Sequence, residues 1–266
     1  MFCLSLDPKH KYIIEKLGYI PVGLGKNIFP QGWLGDKTEE NITEKNKYYG
    51  EYTFHYWLWK NKKLNFNGWI GFCQYRKFWK KNLNEFNENN FKTFNNILLK
   101  EIPEELNKYE TIIGNNLFIN QFKFSKFIKN NLRVMALDPS LFFNKKKRTI
   151  KFHFDMMHGH GNLDKAIQLL DNNNKKDFSN FVNTEVSFNP HNMFICKNKE
   201  ILCSYYDSLF PWLLSCEKIF GFKNLKGYGS QRIYGFLAER YMSYWFKRHT
   251  KYTTLPIHFK EISNFL

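Results

Sequence analysis

No stretch of this 266-residue chain approaches the ~20 consecutive apolar residues that a membrane-spanning helix requires, so a helical integral membrane protein is excluded. The segment from Met1 to Lys11 lacks a charged leader followed by a long apolar run, and it reads as cytosolic, with no secretory signal. Cysteine is sparse. The five residues Cys3, Cys73, Cys196, Cys203 and Cys216 form an odd set without a C-x-x-C pair, which argues against a disulfide framework or a zinc site and for buried thiols in a reducing compartment. Acidic residues are also in deficit: 24 Asp and Glu against 40 Lys and Arg leave a formal charge of +16. Such a balance favours an anionic partner, whether nucleotide phosphates, an anionic membrane surface or nucleic acid. Nowhere does Asp-x-Asp occur, and Gly23-Leu24-Gly25-Lys26-Asn27 is not a phosphate-binding P-loop, because no Gly stands directly before a Lys-Ser or Lys-Thr pair. Repeats and a convincing linker are absent too, so one domain over residues 1–266 is expected.

Aromatic residues are abundant, with 28 Phe, 15 Tyr and 7 Trp. The patterning predicts a strand at Met1–Leu6, an Asp7-Pro8 helix start closed by Gly18, and a strand at Tyr19–Val22. Asn41 and Glu44 have capping-box spacing, predicting a helix from about Ile42 to Asn61. Trp69–Cys73 reads as a buried strand, with Gln74 and Arg76 on one face beyond it and Tyr75 on the other. Further strands are expected at Glu110–Ile113, Thr149–Phe154 and Met193–Cys196. Helices are expected at Leu163–Leu170, at Lys199–Phe220 with an interruption or kink near Pro211, and at Ser230–Arg248. Strands alternating with helices over residues 1–120, ahead of a helix-rich half over 121–266, predict an α/β protein with a flanked, mostly parallel sheet.

One block stands out: Asp36-Lys37-Thr38 and Asn41-Ile42-Thr43, then Glu51-Tyr52-Thr53 with Tyr56-Trp57-Leu58-Trp59-Lys60-Asn61, then Trp69 through Trp79. Downstream come His158 with Leu163, Asn192-Met193-Phe194-Ile195, and Gly235-Phe236-Leu237-Ala238-Glu239-Arg240. In this order the chain resembles the bacterial capsule and surface-polysaccharide glycosyltransferases grouped as domain of unknown function 4422. The resemblance implies a glycosyltransferase-A-like fold with a nucleotide-sugar-binding first half, a nucleotide-sugar donor and a glycan or lipid-linked saccharide acceptor. Gln74 stands where that family usually has His, and Asn162 where it usually has Asp; if either family residue is a proton-transfer group, that role is not available here.

Glycosyl transfer needs electrostatic stabilisation of the departing diphosphate and a positioned acceptor hydroxyl. With no Asp-x-Asp, the expected donor site is Gln74-Tyr75-Arg76-Lys77, where an Arg fork grips phosphate without a metal; Mn or Mg is the alternative. Gly23 offers a backbone turn to the nucleotide or is an ordinary turn. Thr38, Asn41 and Asn46 surround a helix N-terminus, which binds phosphate or is simply capped. Tyr56 and Lys60 share one helix edge and face the cleft in this reading, while Tyr52 and Trp59 are core. Asn192 opens a strand and binds donor or acceptor, or satisfies a turn. The densest titratable cluster, His153 to His160, supplies either Asp155 or His158 as general base; its spacing matches no trusted metal-ligand pattern. Glu239-Arg240 reads as a buried pair. Ser208–Phe222, with Trp245, Lys247 and Arg248, packs in the core or docks at the inner face of the cytoplasmic membrane. Two rivals are a single-strand nucleic-acid binder, for which no recognised motif is present, and an inactive scaffold of a polysaccharide assembly complex.

Overall fold

The computed structural model describes residues 1–64, 67–81, 90–122, 140 and 143–266. Its strands in chain order are β1 (Phe2–Ser5), β2 (Ile20–Gly23), β3 (Leu34–Gly35), β4 (Ile70–Gln74), β5 (Lys77–Trp79) and β6 (Thr111–Gly114). After these come β7 (Leu117–Phe118), β8 (Ser187–Phe188), β9 (Phe194–Cys196), β10 (Tyr252–Leu255) and β11 (Ile257–Phe259). The chain gathers into two interleaved units. Met1–Asn115, His191–Asp207 and Phe246–Leu266 form the first, and Asn116–Pro190 with Ser208–Trp245 the second.

The first unit is a mixed, mostly parallel sheet in the order β10-β6-β9-β4-β1-β2-β3, with β5 and β11 attached beside β4. β4, β1, β2 and β3 run parallel, and only β9 is reversed between β4 and β6. Continuous apolar runs such as FCLS and IGFC suit strands covered on both faces. One face carries Phe2 and Phe72, stacked at 5.6 Å, under Phe54 and His55 of the helix α3 (Tyr52–Lys60). The other carries Cys3 and Cys73 against Ile13, Ile14 and Leu17, from α1 (Lys11–Lys16) and the residue that follows it. Cys3, Cys73, Cys196 and Cys216 are free and buried, and Cys203 is half-buried.

The second unit is helical, built on Ile150–His158, Asn162–Ile167, Asn172–Thr184 and Tyr228–Gln231, with parts of Lys199–Phe220 and Ile233–His249 and the small β7–β8 pair. Trp212 packs edge-on to Phe178 and donates from Nε1 to the Ala166 carbonyl at 2.7 Å, closing its core. No helix among the described residues is long and apolar enough to cross a membrane.

Several sequence expectations need correcting. Thr149–Phe154 is not a strand: Thr149 caps the helix Ile150–His158, its Oγ1 accepting from the Phe152 amide. The helix expected over Ile42–Asn61 is broken at Gly50, whose φ of +61° lies in the left-handed region, into α2 (Asn46–Tyr49) and α3. No capping box forms, because Asn41 Oδ1 accepts from the Thr43 amide instead. Lys199–Phe220 runs uninterrupted through Pro211, whereas the helix expected at Ser230–Arg248 is split at Arg232. Ser208–Phe222 is mainly core, with Leu209, Phe210, Trp212, Leu213 and Cys216 buried, as is Trp245; only Ile219 of its large apolar side chains stands exposed.

Candidate functional site

Because β1, β2, β3 and β4 are parallel, Ser5, Gly23, Gly35 and Gln74 end at one edge of the sheet, the edge where open α/β folds bind ligands. The chain's own side chains tie much of this edge down. Asn27 Nδ2 donates to the Leu6 carbonyl and Lys37 Nζ to the Asn27 carbonyl, each at 2.6 Å. The Phe29 ring covers Gly23 so closely that any Cβ there would lie 2.5 Å from it. Gly25, with φ at +73°, sits under Asn46, whose Nδ2 holds the Gly50 carbonyl at 2.9 Å and Thr53 Oγ1 at 3.1 Å.

The loop after β3 is tied to α3 in the same way. Trp57 Nε1 donates to the Thr38 carbonyl at 2.8 Å, and Asn41 Nδ2 donates to the Glu39 carbonyl at 2.9 Å. Tyr56 is buried and donates to Glu40 Oε1, the same oxygen that Lys60 Nζ approaches at 3.3 Å. The cleft-facing edge expected of Tyr56 and Lys60 is therefore a clamp on Glu40. Asp36 at the base of this loop is fully buried, and burial raises its pKa against the opposing pull of the Thr53 and Thr43 hydroxyls.

At the end of β4 the polar groups converge. Gln74 Nε2 donates to Glu51 Oε1 at 3.1 Å and to the His191 carbonyl at 2.9 Å. Asn192 Nδ2 donates to the same Glu51 oxygen at 2.9 Å. Glu51 sits at the N-cap of α3, so Lys60 lies roughly 13 Å further along the helix axis at about 1.5 Å per residue. His191 and Asn192 both have positive φ, +81° and +53°, which costs on the order of 1–3 kcal/mol at each non-glycine residue. Backbone strain at two successive residues leading into β9 marks where packing overrides local preference. Burial, and secondly the charge of Lys77, push the His191 pKa down to about 3, so its ring is neutral near pH 7.

β4 ends at Gln74, and Tyr75-Arg76 form the turn into β5, where Lys77 pairs back with Gln74. The expectation that Gln74 and Arg76 share a face fails at this turn. Tyr75 stacks on His10 at 5.1 Å, and the Arg76 guanidinium lies 4.8 Å from the Tyr75 ring centre. The Arg76 side chain is 58% exposed and 3.9 Å from Glu261. Among the anticipated site residues, Gln74, Lys77 and Asn192 come together, whereas Arg76 stands on the Tyr75 side. Sequence reasoning missed Glu51 and His191 as site residues; the signals were the place of Glu51 in the matched Glu51-Tyr52-Thr53 block after Gly50, and the Pro190 turn before His191.

Asp155 and His158 belong to the second unit and are closed inward. Arg240 is buried and ion-paired with its neighbour Glu239, as expected of that pair, and its guanidinium lies 4.1 Å from the Phe188 ring centre. Arg240 donates to His153 Nδ1 at 3.1 Å and to His158 Nε2 at 3.4 Å. His158 Nδ1 donates to the Gly229 carbonyl at 3.0 Å, which fixes its proton there. Burial, with Arg240 second, pushes His153 to about 3 and His158 to about 2, so neither ring takes a proton near pH 7. Asp155 accepts from Lys151 Nζ at 2.8 Å and from the Gly161 amide at 3.1 Å. Among the described residues no group of three or more His, Cys, Asp or Glu side chains is placed to hold a metal ion. The second unit also carries an open groove of about 660 Å³, walled by amides and lysines including Gln168, Asn172, Lys175, Lys176 and Asn180, and lacking an aromatic ring.

The family described as a domain of unknown function, DUF4422, matches residues 6–251. No curated protein matches the chain. Among solved structures, the fold is similar to that of the WbbM bifunctional glycosyltransferase in its apo form, with a TM-score of 0.70 at 20% identity. That match covers 97% of this chain and 45% of the other, so the chain spans less than half of that protein's length. The fold is thus glycosyltransferase-A-like α/β.

Proposed function

The chain belongs to the DUF4422 family, and from that premise we propose that it is a glycosyltransferase, acting as one domain, that moves a sugar from a nucleotide-sugar donor to a growing capsular or other surface polysaccharide in the cytoplasm. The observation that carries this reading is the convergence of Glu51, Gln74 and Asn192, with Lys77 beside them, at the carboxyl edge of the parallel strands. The likeness in fold to WbbM, itself a bifunctional glycosyltransferase, supports the same class of activity.

In this reading the donor's nucleotide lies along the ends of β1, β2 and β3, near Gly25, Thr38, Asn41 and Asn46. Lys77 neutralises the departing diphosphate, and Arg76, exposed on the Tyr75 side of the turn, plays the lesser part. That assignment makes transfer independent of a metal; activity abolished by a chelator and restored by manganese would contradict it. Gln74 and Asn192 orient sugar hydroxyls through amides that Glu51 holds in place. The acceptor hydroxyl must also lose a proton. His158 is held neutral with both nitrogens engaged, and Asp155 is paired with Lys151. Glu51 is the carboxylate that meets Gln74 and Asn192 at the strand edge, and in this reading it accepts the proton. Comparing Glu51→Gln with Asp155→Asn separates the two carboxylates by their effects on turnover.

A ligand that binds only the folded state raises its melting temperature, so a panel of nucleoside diphosphates and nucleotide sugars, with and without manganese, tests the donor class. Release of nucleoside diphosphate would exclude the inactive-scaffold reading that the Gln74 and Asn162 replacements invite. A shift with oligonucleotides alone would favour nucleic acid instead.

A further inference from the structure

β11 extends the sheet beyond β5, and its register places Phe259 directly opposite Lys77, which itself lies opposite Gln74 of β4. Directly opposite residues of antiparallel strands project to the same face. Gln74, Lys77 and Phe259 therefore form a row across three strands, on the face where Glu51 and Asn192 meet. Phe259 is 58% exposed, a large ring left in water beside a polar cluster. Its ring stands edge-to-face with His191 at 5.1 Å and 84°, which sets its orientation, and His191 is itself held in strained backbone. Residue 259 lies outside the stretch 6–251 that matches the family, so this ring is an element that the family match does not account for.

A pyranose ring has two kinds of surface: a face of C–H groups, slightly positive, and an equator of hydroxyls. The negative face of an aromatic ring attracts the first. Amides, a carboxylate and an ammonium, each fixed at its own angle, pair with the second. We propose that Phe259, Gln74, Lys77 and Asn192 form a sugar-ring subsite, in which the C–H face of a hexose lies on Phe259 and its hydroxyls meet the two amides and Lys77. The subsite rests on the glycosyl-transfer reading and deepens it, because it assigns the sugar, as distinct from the nucleotide, to the β4–β5–β11 edge. The sugar can arrive as the donor's hexose or as the acceptor's terminal hexose, and the two sources are separable.

The test uses the full chain as wild type, Phe259→Ala and the conservative Phe259→Tyr. Because the side chain is exposed, all three are expected to melt alike. Calorimetric titration then compares UDP, GDP and dTDP with their hexose conjugates, and with methyl glucoside, galactoside, mannoside and rhamnoside. Phe259→Ala is expected to bind the free nucleotide as wild type does, while losing about tenfold in affinity for one sugar-bearing ligand, with Phe259→Tyr restoring it. Loss with nucleotide sugars identifies the donor hexose, and loss with methyl glycosides the acceptor. Unchanged binding of every sugar-bearing ligand by Phe259→Ala overturns the subsite while leaving the transferase reading intact. Wild type that binds methyl glycosides but no nucleotide or nucleotide sugar sinks the transferase reading and keeps the sugar site. Wild type that binds none of these ligands sinks both.

Discussion

Glu51, Gln74 and Asn192 in the first unit, and His153, His158 and Arg240 in the second, are both hydrogen-bonded polar clusters anchored by one hub residue. They differ in where their unused capacity points. The second closes on itself: Arg240 is buried, two neutral imidazoles accept from it, and Glu239 balances its charge. Such a network holds helices together and has little to offer a substrate. The first is half open, with Gln74 and Lys77 only partly buried at the end of parallel strands and an exposed aromatic ring in the same row. Density of titratable residues along the chain is thus a poor guide to chemistry, because His153 and His158 spend their ring nitrogens on the buried Arg240 and on the Gly229 carbonyl. Polar residues gathered at an accessible strand edge are the better indicator.

The comparison breaks most sharply at the two hubs. Arg240→Met removes the partner of buried Glu239 and the donor to both imidazoles, and is expected to cost about 3–5 kcal/mol; denaturant unfolding measures it. Glu51→Gln is expected to leave the melting temperature close to wild type. Release of nucleoside diphosphate from the preferred nucleotide sugar should then fall about 100-fold, within the range for loss of a general base. If Glu51→Gln unfolds the chain while Arg240→Met only slows turnover, the roles assigned to the two clusters are reversed.

Acid sharpens the contrast next. Burial holds His55, His153 and His191 at about 3 and His158 at about 2, against an ordinary 6.5, so rings of both units contribute and only the His153 variant isolates the second cluster. The unfolded chain therefore takes up protons that the folded one refuses. Stability from these rings is complete above pH 6.5 and is lost as pH falls from 6.5 toward 3. Each fully differing ring contributes about 1.4 kcal/mol per pH unit. Urea midpoints measured between pH 7.5 and 5 should fall accordingly, and His153→Gln should shallow the slope. A slope left unchanged by His153→Gln would contradict the closed network.

The smallest expected effects lie at the backbone and the exposed turn. Gly50 adopts φ +61° and ψ −134°, and Gly50→Ala should cost about 1–3 kcal/mol by straining the junction that sets Glu51. Arg76→Ala should change stability by less than about 0.5 kcal/mol and weaken nucleoside diphosphate binding less than Lys77→Ala does. The reverse order would return the diphosphate to the Arg76 side of the turn.

What the sequence made legible follows the same division. β1 and the bounds of the Lys199–Phe220 helix were readable because apolar pattern and end signals agree locally, although the helix runs on through Pro211 where an interruption or kink was expected. The helix Ile150–His158 was not, since alternating Thr-Ile-Lys-Phe-His-Phe mimics a strand, and the Thr149 cap and tertiary packing decide otherwise. β5 was hidden because three residues carry no periodicity and its partner β11 lies near the other end of the chain. At the site, Gln74, Lys77 and Asn192 were anticipated. Glu51 was not, because only the fold brings the Gln74 amide from 23 residues away and the Asn192 amide from 141 residues away onto one of its oxygens.

The most direct measurement is a crystal structure of the full chain soaked with the nucleotide sugar that most raises its melting temperature. The account predicts the sugar within hydrogen-bonding reach of Gln74 and Asn192, its diphosphate beside Lys77. A nucleotide sugar held by the helix Ile150–His158, with Gln74, Lys77 and Asn192 untouched, would contradict it.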